Sequence, residues 1–186
     1  MTLTSSNPLI TKGVRQQVSF DEFKDEVIND YKLACISREV SLIGRKEVLT
    51  GKAKFGIFGD GKELPQIALA KVFENGDFRA GYYRDQTFAL ATGIVTIEQL
   101  FGQLYANPSS EEDPHSGGRQ MNNHFATRSL HADGSWKKLK YQKNTSADLS
   151  STAAQMPRSL GLALASKKYR ELQDKIGEND FSNKGN

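Results

Sequence analysis

The sequence predicts a helix-rich α/β fold with few strands. Three helix starts carry capping-box spacing: Ser19/Glu22, Thr96/Gln99 and Thr152/Gln155. A single aromatic stretch, Phe78 to Tyr83, reads as a strand between turn residues. One strand makes no sheet. The pattern is therefore that of an α/β domain cut before its next strand.

Behind Ser19 the residues Phe20, Phe23, Val27, Ile28, Tyr31, Ala34 and Cys35 fall on one helical face. That spacing predicts a packing helix from Phe20 to Ile43, stopping near Gly44, with Cys35 a small buried hydrophobe. Gly51, Gly56, Gly59 and Gly61 mark a tight loop. A helix follows over Lys62 to Phe73, with Pro65 tolerated in its first turn. The strand comes next, and then a helix from Thr96 to about Ala106. Residues 107–118 and 127–149 read as irregular, with a turn at Asp133-Gly134. The last helix opens at Thr152. Its body, Leu160 to Ala165, is apolar on nearly all sides and is expected to be buried.

The 186 residues suffice for one domain with a core. The apolar share of 37% is below the globular norm, so much of the chain is surface, loop or a face awaiting a partner. With 25 basic and 22 acidic residues, no single-sign field argues for nucleic acid. No apolar run approaches the length of a membrane span, and Met1 to Lys12 has no signal-peptide pattern. The lone Cys35 forms no internal disulfide. A cytoplasmic protein is expected, with no nucleic-acid or membrane partner.

Four segments could carry chemistry. Gly59-Asp60-Gly61-Lys62 lacks the Ser or Thr and the spacing of a phosphate loop, and reads as a glycine turn before a helix. Tyr82, Tyr83 and Arg84 end the strand, where open α/β sheets bind ligands. Arg and Tyr there can grip a phosphate, or Arg84 and Asp85 can form an ordinary surface pair. The segment from Gly117 through Arg119 to His124 joins a Gly pair to Arg, amides and His. It could close over an anionic substrate, or His124 could be merely a surface residue. Asp148 to Pro157 leads into the last helix. Free amides there favour anions, or the segment is only a capped helix start. The three histidines show no metal-ligand spacing.

In order, these segments resemble the alpha subunits of 2-oxo acid dehydrogenases, nearest the branched-chain (2-oxoisovalerate) type. The blocks are FRAGYYRDQTFALATG, GGRQMNNHF and SSTAAQMPRSLGLALASK, within a resemblance running from about Tyr31 to Arg170. GRKEVLTGKAKFGIFGDGKELPQ further suggests the variant in which alpha-type and beta-type parts are fused. The resemblance implies a truncated thiamine-diphosphate-binding fold. Its divisions would be a flexible N-terminus (1–18), the N-terminal part of the cofactor-binding domain (19–172) and a polar tail at the truncation point (173–186).

The resemblance also implies roles. Tyr83 and Arg84 match the family's diphosphate grip, with Tyr82 standing where relatives carry Gln. Ser150 and Thr152 match positions whose backbone contacts the aminopyrimidine side. His124 and Arg119 match the loop at the active-site entrance and are substrate-proximal. The implied reaction is oxidative decarboxylation of a 2-oxo acid with acyl transfer to lipoamide. Its partners would be a beta-type dehydrogenase subunit or fused half, and a lipoyl-bearing acyltransferase.

Two features depart from the family pattern. Gly59-Asp60-Gly61 has the letters that open the family's magnesium motif, but residues 85–95 supply no later Asn. The magnesium ligands are expected beyond Asn186, and the activating Glu belongs to the beta-type part. The isolated chain is therefore expected to be inactive. The competing reading is a non-catalytic module that binds a beta-type partner. A transketolase-like enzyme fits less well, because the Gly-Arg-Gln-Met-x-x-His loop belongs to the 2-oxo acid branch.

Overall fold

A computed structural model describes residues 19–182. The expected flexible segment, 1–18, and the last four residues of the polar tail lie outside the described residues. Helix α1 spans Phe20–Leu49. The Ser19 side chain accepts from the Glu22 amide at 3.3 Å, and the Glu22 carboxylate accepts from the Ser19 amide at 2.9 Å. The first capping box is therefore formed.

α1 does not stop at Gly44. A Cβ there would lie 2.3 Å from Cε1 of the Phe58 ring. Gly44 thus admits an aromatic ring against the helix. The helix ends instead at Gly51, whose φ of 78° suits glycine.

The buried face of α1 also differs from the expected one. Ser37, Val40, Ser41 and Gly44 are buried, whereas Phe20 and Tyr31 are 78% and 70% exposed, and Cys35 is exposed as well. The first half of α1 leaves its apolar face uncovered among the described residues. The second half packs through small residues, which let neighbouring backbones approach.

Helix α2 (Glu63–Ala70) and helix α3 (Gln86–Ala91) pack on α1 and on each other. The α1–α3 seam is polar. The Ser37 and Thr87 hydroxyls lie 2.7 Å apart, and Gln86 Nε2 donates to the Ser37 carbonyl at 2.9 Å. α3 has no capping signal in the sequence, and its Asp85 N-cap makes no side-chain cap bond. Helix α4 (Ile97–Leu104) begins with the Thr96/Gln99 box formed. Val40, Ala89, Val95, Leu100 and Phe125 make one apolar cluster, with Leu90 and Phe101 against it.

The expected strand is shorter than Phe78 to Tyr83 and is not alone. β1 (Phe78–Arg79) pairs in parallel with β2 (Asn144–Thr145), Phe78 opposite Asn144 and Arg79 opposite Thr145. β2 lies inside the stretch expected to be irregular. Its two polar residues offer no apolar alternation, so the strand rests on its partner's hydrogen bonds. The Asn144 amide donates to Asp77 O and the Ser146 amide to Arg79 O. The fold is thus helix-rich α/β with two short parallel strands.

Helix α5 (Gln155–Ile176) corrects two expectations. Its N-cap is Ala154, with no side-chain cap, and Gln155 Nε2 donates to the Leu149 carbonyl at 3.2 Å. None of its residues is buried, and Met156 and Leu160 are each 72% exposed. Apolar composition on all sides is not burial when only one side of the helix, at Leu162, Ala165 and Tyr169, faces other described residues. No helix among the described residues is long and apolar enough to cross a membrane.

Candidate active site

The carboxyl end of β1 organises the site through a buried Arg. Arg79 lies between the Phe88 and Phe125 rings, its Cζ 5.9 and 5.7 Å from their centroids. Its Nη1 donates to Thr145 Oγ1 at 2.7 Å and to both Asp148 carboxylate oxygens at 3.1 Å. Its Nη2 donates to Asp85 Oδ2 at 2.9 Å and to the Tyr82 carbonyl at 3.2 Å. Asp85 in turn accepts from the Tyr82 amide at 2.9 Å. The tyrosine turn is thereby fixed at both the amide and the carbonyl of Tyr82. Asp85 pairs with Arg79, so the simple Arg84–Asp85 pair is not the arrangement. Gly81 permits this packing, since a Cβ there would fall 1.7 Å from Arg79 Cζ.

Burial pushes the Asp148 carboxyl up, against Arg79 and the Phe125 amide, which pull it down. The carboxylate also accepts from that amide at 3.0 Å. Arg79 and Asp148 therefore tie β1 to Phe125, the residue after His124, and to the segment leading into α5.

The Tyr82 and Tyr83 rings stack with centroids 3.8 Å apart, and the Tyr82 hydroxyl donates to that of Tyr83. The Thr152 side chain acts electrostatically on both phenols. The expected Thr152 capping box is not formed, since α5 starts two residues later, after Ala154. The Tyr83 hydroxyl, then Thr152 and the Arg84 and Lys62 charges, draw the Tyr82 phenol below its ordinary range. Its hydrogen bond to Tyr82 pushes Tyr83 the other way.

His124 lies beside this pair, its ring stacked on Tyr83 at 6.1 Å. Its Nδ1 is 3.1 Å from the Asn122 carbonyl and its Nε2 is 2.7 Å from Ser150 Oγ. A carbonyl only accepts, so Nδ1 carries the proton and Ser150 donates to Nε2. Gln103 pins the His124 backbone, donating to its carbonyl at 2.7 Å and accepting from its amide at 3.2 Å. His124 is buried, not a surface residue.

The loop before His124 is not free to close as a whole. Asn122 and Asn123 each donate to the Ile57 carbonyl at 2.6 Å, and Asn122 also accepts from the Ile57 amide. This clamps the glycine-rich segment to the loop. Arg119 remains exposed, donating to the Ser116 carbonyl at 3.2 Å. No recorded contact brings it to the tyrosine cluster.

Arg84 is exposed, and Gln66 Nε2 donates to its carbonyl at 2.9 Å. It lines a cavity of about 390 Å³ beside the Arg45–Asp60 ion pair. Gly59 must be glycine because a Cβ there would meet Arg84 O at 2.4 Å. Asp60-Gly61 forms the turn expected before α2, with the Gly61 amide donating to Glu63.

Of the seven residues singled out in the sequence, Tyr82, Tyr83, His124 and Ser150 thus form one contiguous cluster, with Thr152 two residues further along and acting on the phenols electrostatically. Arg84 follows Tyr83 directly in the chain and acts on the cluster by charge, while Arg119 stays outside. Sequence reasoning missed Arg79, Gln103 and Asn122 as the supports of the cluster, and Lys62 as a second nearby charge. An Arg inside an aromatic strand stretch is a readable signal for a buried ion pair. Its partner, far along the chain at Asp148, is not readable.

The exposed hydroxyl, amide and guanidinium donors suit an anionic, phosphate-bearing group. Among the described residues no group of three or more His, Cys, Asp or Glu side chains could hold a metal ion. Residues 31–176 match the family model described as dehydrogenase E1 component. Over 148 residues the chain is 30% identical to the 2-oxoisovalerate dehydrogenase subunit alpha of Bacillus subtilis (strain 168). That alignment covers 76% of this chain and 38% of the relative, so the chain spans well under half of that protein's length.

Proposed function

Because the chain belongs to the dehydrogenase E1 component family, we propose that it forms part of the decarboxylating component of a 2-oxo acid dehydrogenase. One observation carries the reading: the paired Tyr82 and Tyr83 hydroxyls stand at the carboxyl end of β1 beside the His124–Ser150 pair, with Arg84 next in the chain. In this reading Tyr82, Tyr83 and Arg84 hold the diphosphate of thiamine diphosphate. The backbone at Ser150 and Thr152 meets its aminopyrimidine side. The domain would occupy residues 19–172.

When bound, thiamine diphosphate supplies a carbanion that adds to the 2-oxo carbon and an electron sink for the pair left when CO2 departs. The chain's own task is orientation and charge. Arg79 and Asp85 fix the Tyr82 peptide so that neither tyrosine has to be ordered on binding. His124 holds Ser150 through Nε2 and is substrate-proximal. Arg119, with donors to spare beyond its Ser116 bond, meets the 2-oxo acid carboxylate at the entrance. The magnesium ligands and the activating carboxylate would come from residues other than those described. A branched-chain 2-oxo acid is the favoured substrate class, by analogy with the name of the Bacillus relative. The remaining partners are a beta-type dehydrogenase subunit or fused half, and a lipoyl-bearing acyltransferase that takes the acyl group. The proposed compartment is the cytoplasm, in keeping with the lone Cys35.

The test is calorimetric titration of thiamine diphosphate, with magnesium, into the 186-residue chain mixed with a beta-type partner. Tyr83→Phe and Arg84→Gln are each expected to weaken binding about tenfold, one lost charge-assisted contact apiece. Unchanged affinity in both variants would remove the diphosphate grip. With a 2-oxo acid and an artificial electron acceptor, the chain alone is expected to show no turnover, and clear turnover would contradict the proposed division of the site. A non-catalytic module that only binds a beta-type partner is the second reading. It is favoured by the uncovered apolar faces of α1 and α5, and partner binding without cofactor binding would establish it.

A further inference from the structure

A second polar cavity lies away from the tyrosine cluster, between the start of α4, the 114–128 segment and the 137–143 segment. It holds about 370 Å³, within the range of small-molecule sites. Arg128, Lys137 and Lys143 line it, and none of its lining residues is a carboxylate. Among the described residues none of these three cations forms an ion pair, although twelve such pairs are found elsewhere.

The donors are held in place. Arg128 Nε donates to the Pro114 carbonyl at 2.9 Å, which fixes the guanidinium and leaves its Nη groups for another partner. Thr127 Oγ1 accepts from the Thr145 amide at 2.8 Å, so its hydroxyl proton remains to be donated. His115 completes the wall. Its Nε2 is the buried side-chain atom left without a hydrogen-bond partner among the described residues, the kind of vacancy that native interiors rarely tolerate. Ile94 and Pro114 add apolar surface beside these donors.

A wall of cations and spare donors, itself without a carboxylate, calls for a ligand that only accepts. We propose that this cavity binds the phosphate of a small phosphomonoester, its dianion held by Arg128, Lys137, Lys143 and the Thr127 hydroxyl, and its organic part against Ile94 and Pro114. A phosphate group offers the several acceptor oxygens that three cations and a hydroxyl can share. A volume of about 370 Å³ takes a small phosphorylated molecule, and a phosphorylated peptide is the alternative that the titration tests. Asp113, buried beside His115, and Asp148 act on the His115 ring by charge from outside the lining. This site stands independently of the thiamine diphosphate reading.

Phenyl phosphate is the probe, titrated calorimetrically into the 186-residue chain with inorganic phosphate and a phosphoserine peptide in parallel. One molecule is expected to bind saturably, more tightly than inorganic phosphate. The Lys137→Gln/Lys143→Gln double variant is expected to bind at least about tenfold more weakly. In the unaltered chain, nitrogen-15 spectra are expected to shift at the Thr127 and Arg128 amides, which reads the site without any variant. Arg84→Gln is expected to leave phenyl phosphate binding unchanged. That separates the cavity from the tyrosine cluster, whose failure to bind thiamine diphosphate would leave this result standing. No saturation, equal affinity in the double variant, loss in Arg84→Gln, or binding of the peptide alone would each overturn the proposal.

Discussion

The Arg79 guanidinium and the Asp148 carboxylate meet at 3.1 Å with side chains 7% and 0% exposed. One pair thereby joins the end of β1 to the segment that leads into α5. Because both groups are out of water, each depends on the other. Replacing Arg79 by Met leaves a buried carboxylate without its partner and is expected to destabilise the fold by roughly 3–5 kcal/mol. Urea unfolding measures this. The Arg79→Met/Asp148→Leu double variant, which removes both charges, is expected to recover a large part of the loss. A double variant no more stable than the single one would show that shape, not charge, holds this junction.

Two helical glycines are expected to respond in opposite directions. At Gly161 in α5 a Cβ meets nothing within 4 Å, so Gly161→Ala is expected to stabilise by about 0.5–1 kcal/mol through the lower entropy of the unfolded chain. At Gly44 in α1 the new Cβ would lie 2.3 Å from the Phe58 ring, so Gly44→Ala is expected to cost about 1–3 kcal/mol from overpacking. Thermal melts of the two variants compare them directly. The same sign in both would refute the Gly44–Phe58 contact.

These glycines also show where the sequence is legible. The first two capping boxes can be read because they are local: donor and acceptor lie three residues apart. Gly44 was expected to stop α1 because local propensity says nothing of Phe58. The site residues were legible as chemistry, since Tyr83, His124 and Thr152 are polar groups in otherwise structural segments. Their convergence depends on Arg79, Gln103 and Asn122, whose partners lie 69, 21 and 65 residues away. Such pairings leave no periodic trace. β2 escaped for a related reason: two polar residues become a strand only when β1 lies alongside.

Ser150 reports on the imidazole of His124. With Nδ1 donating to the Asn122 carbonyl, only Nε2 can accept the Ser150 hydroxyl, 2.7 Å away. Ser150→Ala removes that donor without adding bulk. The expected outcome is a loss of about 0.5–1.5 kcal/mol of stability, the worth of one ordinary hydrogen bond. Urea unfolding measures this, and the nitrogen-15 spectrum is expected to shift at the His124 amide. Unchanged stability together with an unmoved His124 amide in Ser150→Ala would mean that the contact does not persist in solution.

His115 sets the sign of one stability change with pH. Burial holds its imidazole below the ordinary value of 6.5, outweighing the Ala126 carbonyl and the Asp113 and Asp148 charges, which act the other way. Between that depressed folded value and 6.5 the unfolded chain binds more protons than the folded one. Stability from this group is therefore full above the unfolded value and is lost as pH falls through the window toward the folded value. The slope for one proton cannot exceed about 1.4 kcal/mol per pH unit. His115→Gln has no proton to take up, so its urea midpoint is expected to fall less than that of the unaltered chain between about pH 7.5 and pH 5.5. Asp148, raised by burial, acts with the opposite sign from the acid side, binding its proton more readily when folded, and it is common to both proteins. The difference between their curves isolates His115. Parallel curves would mean that its ring is charged in the fold as readily as in the unfolded chain.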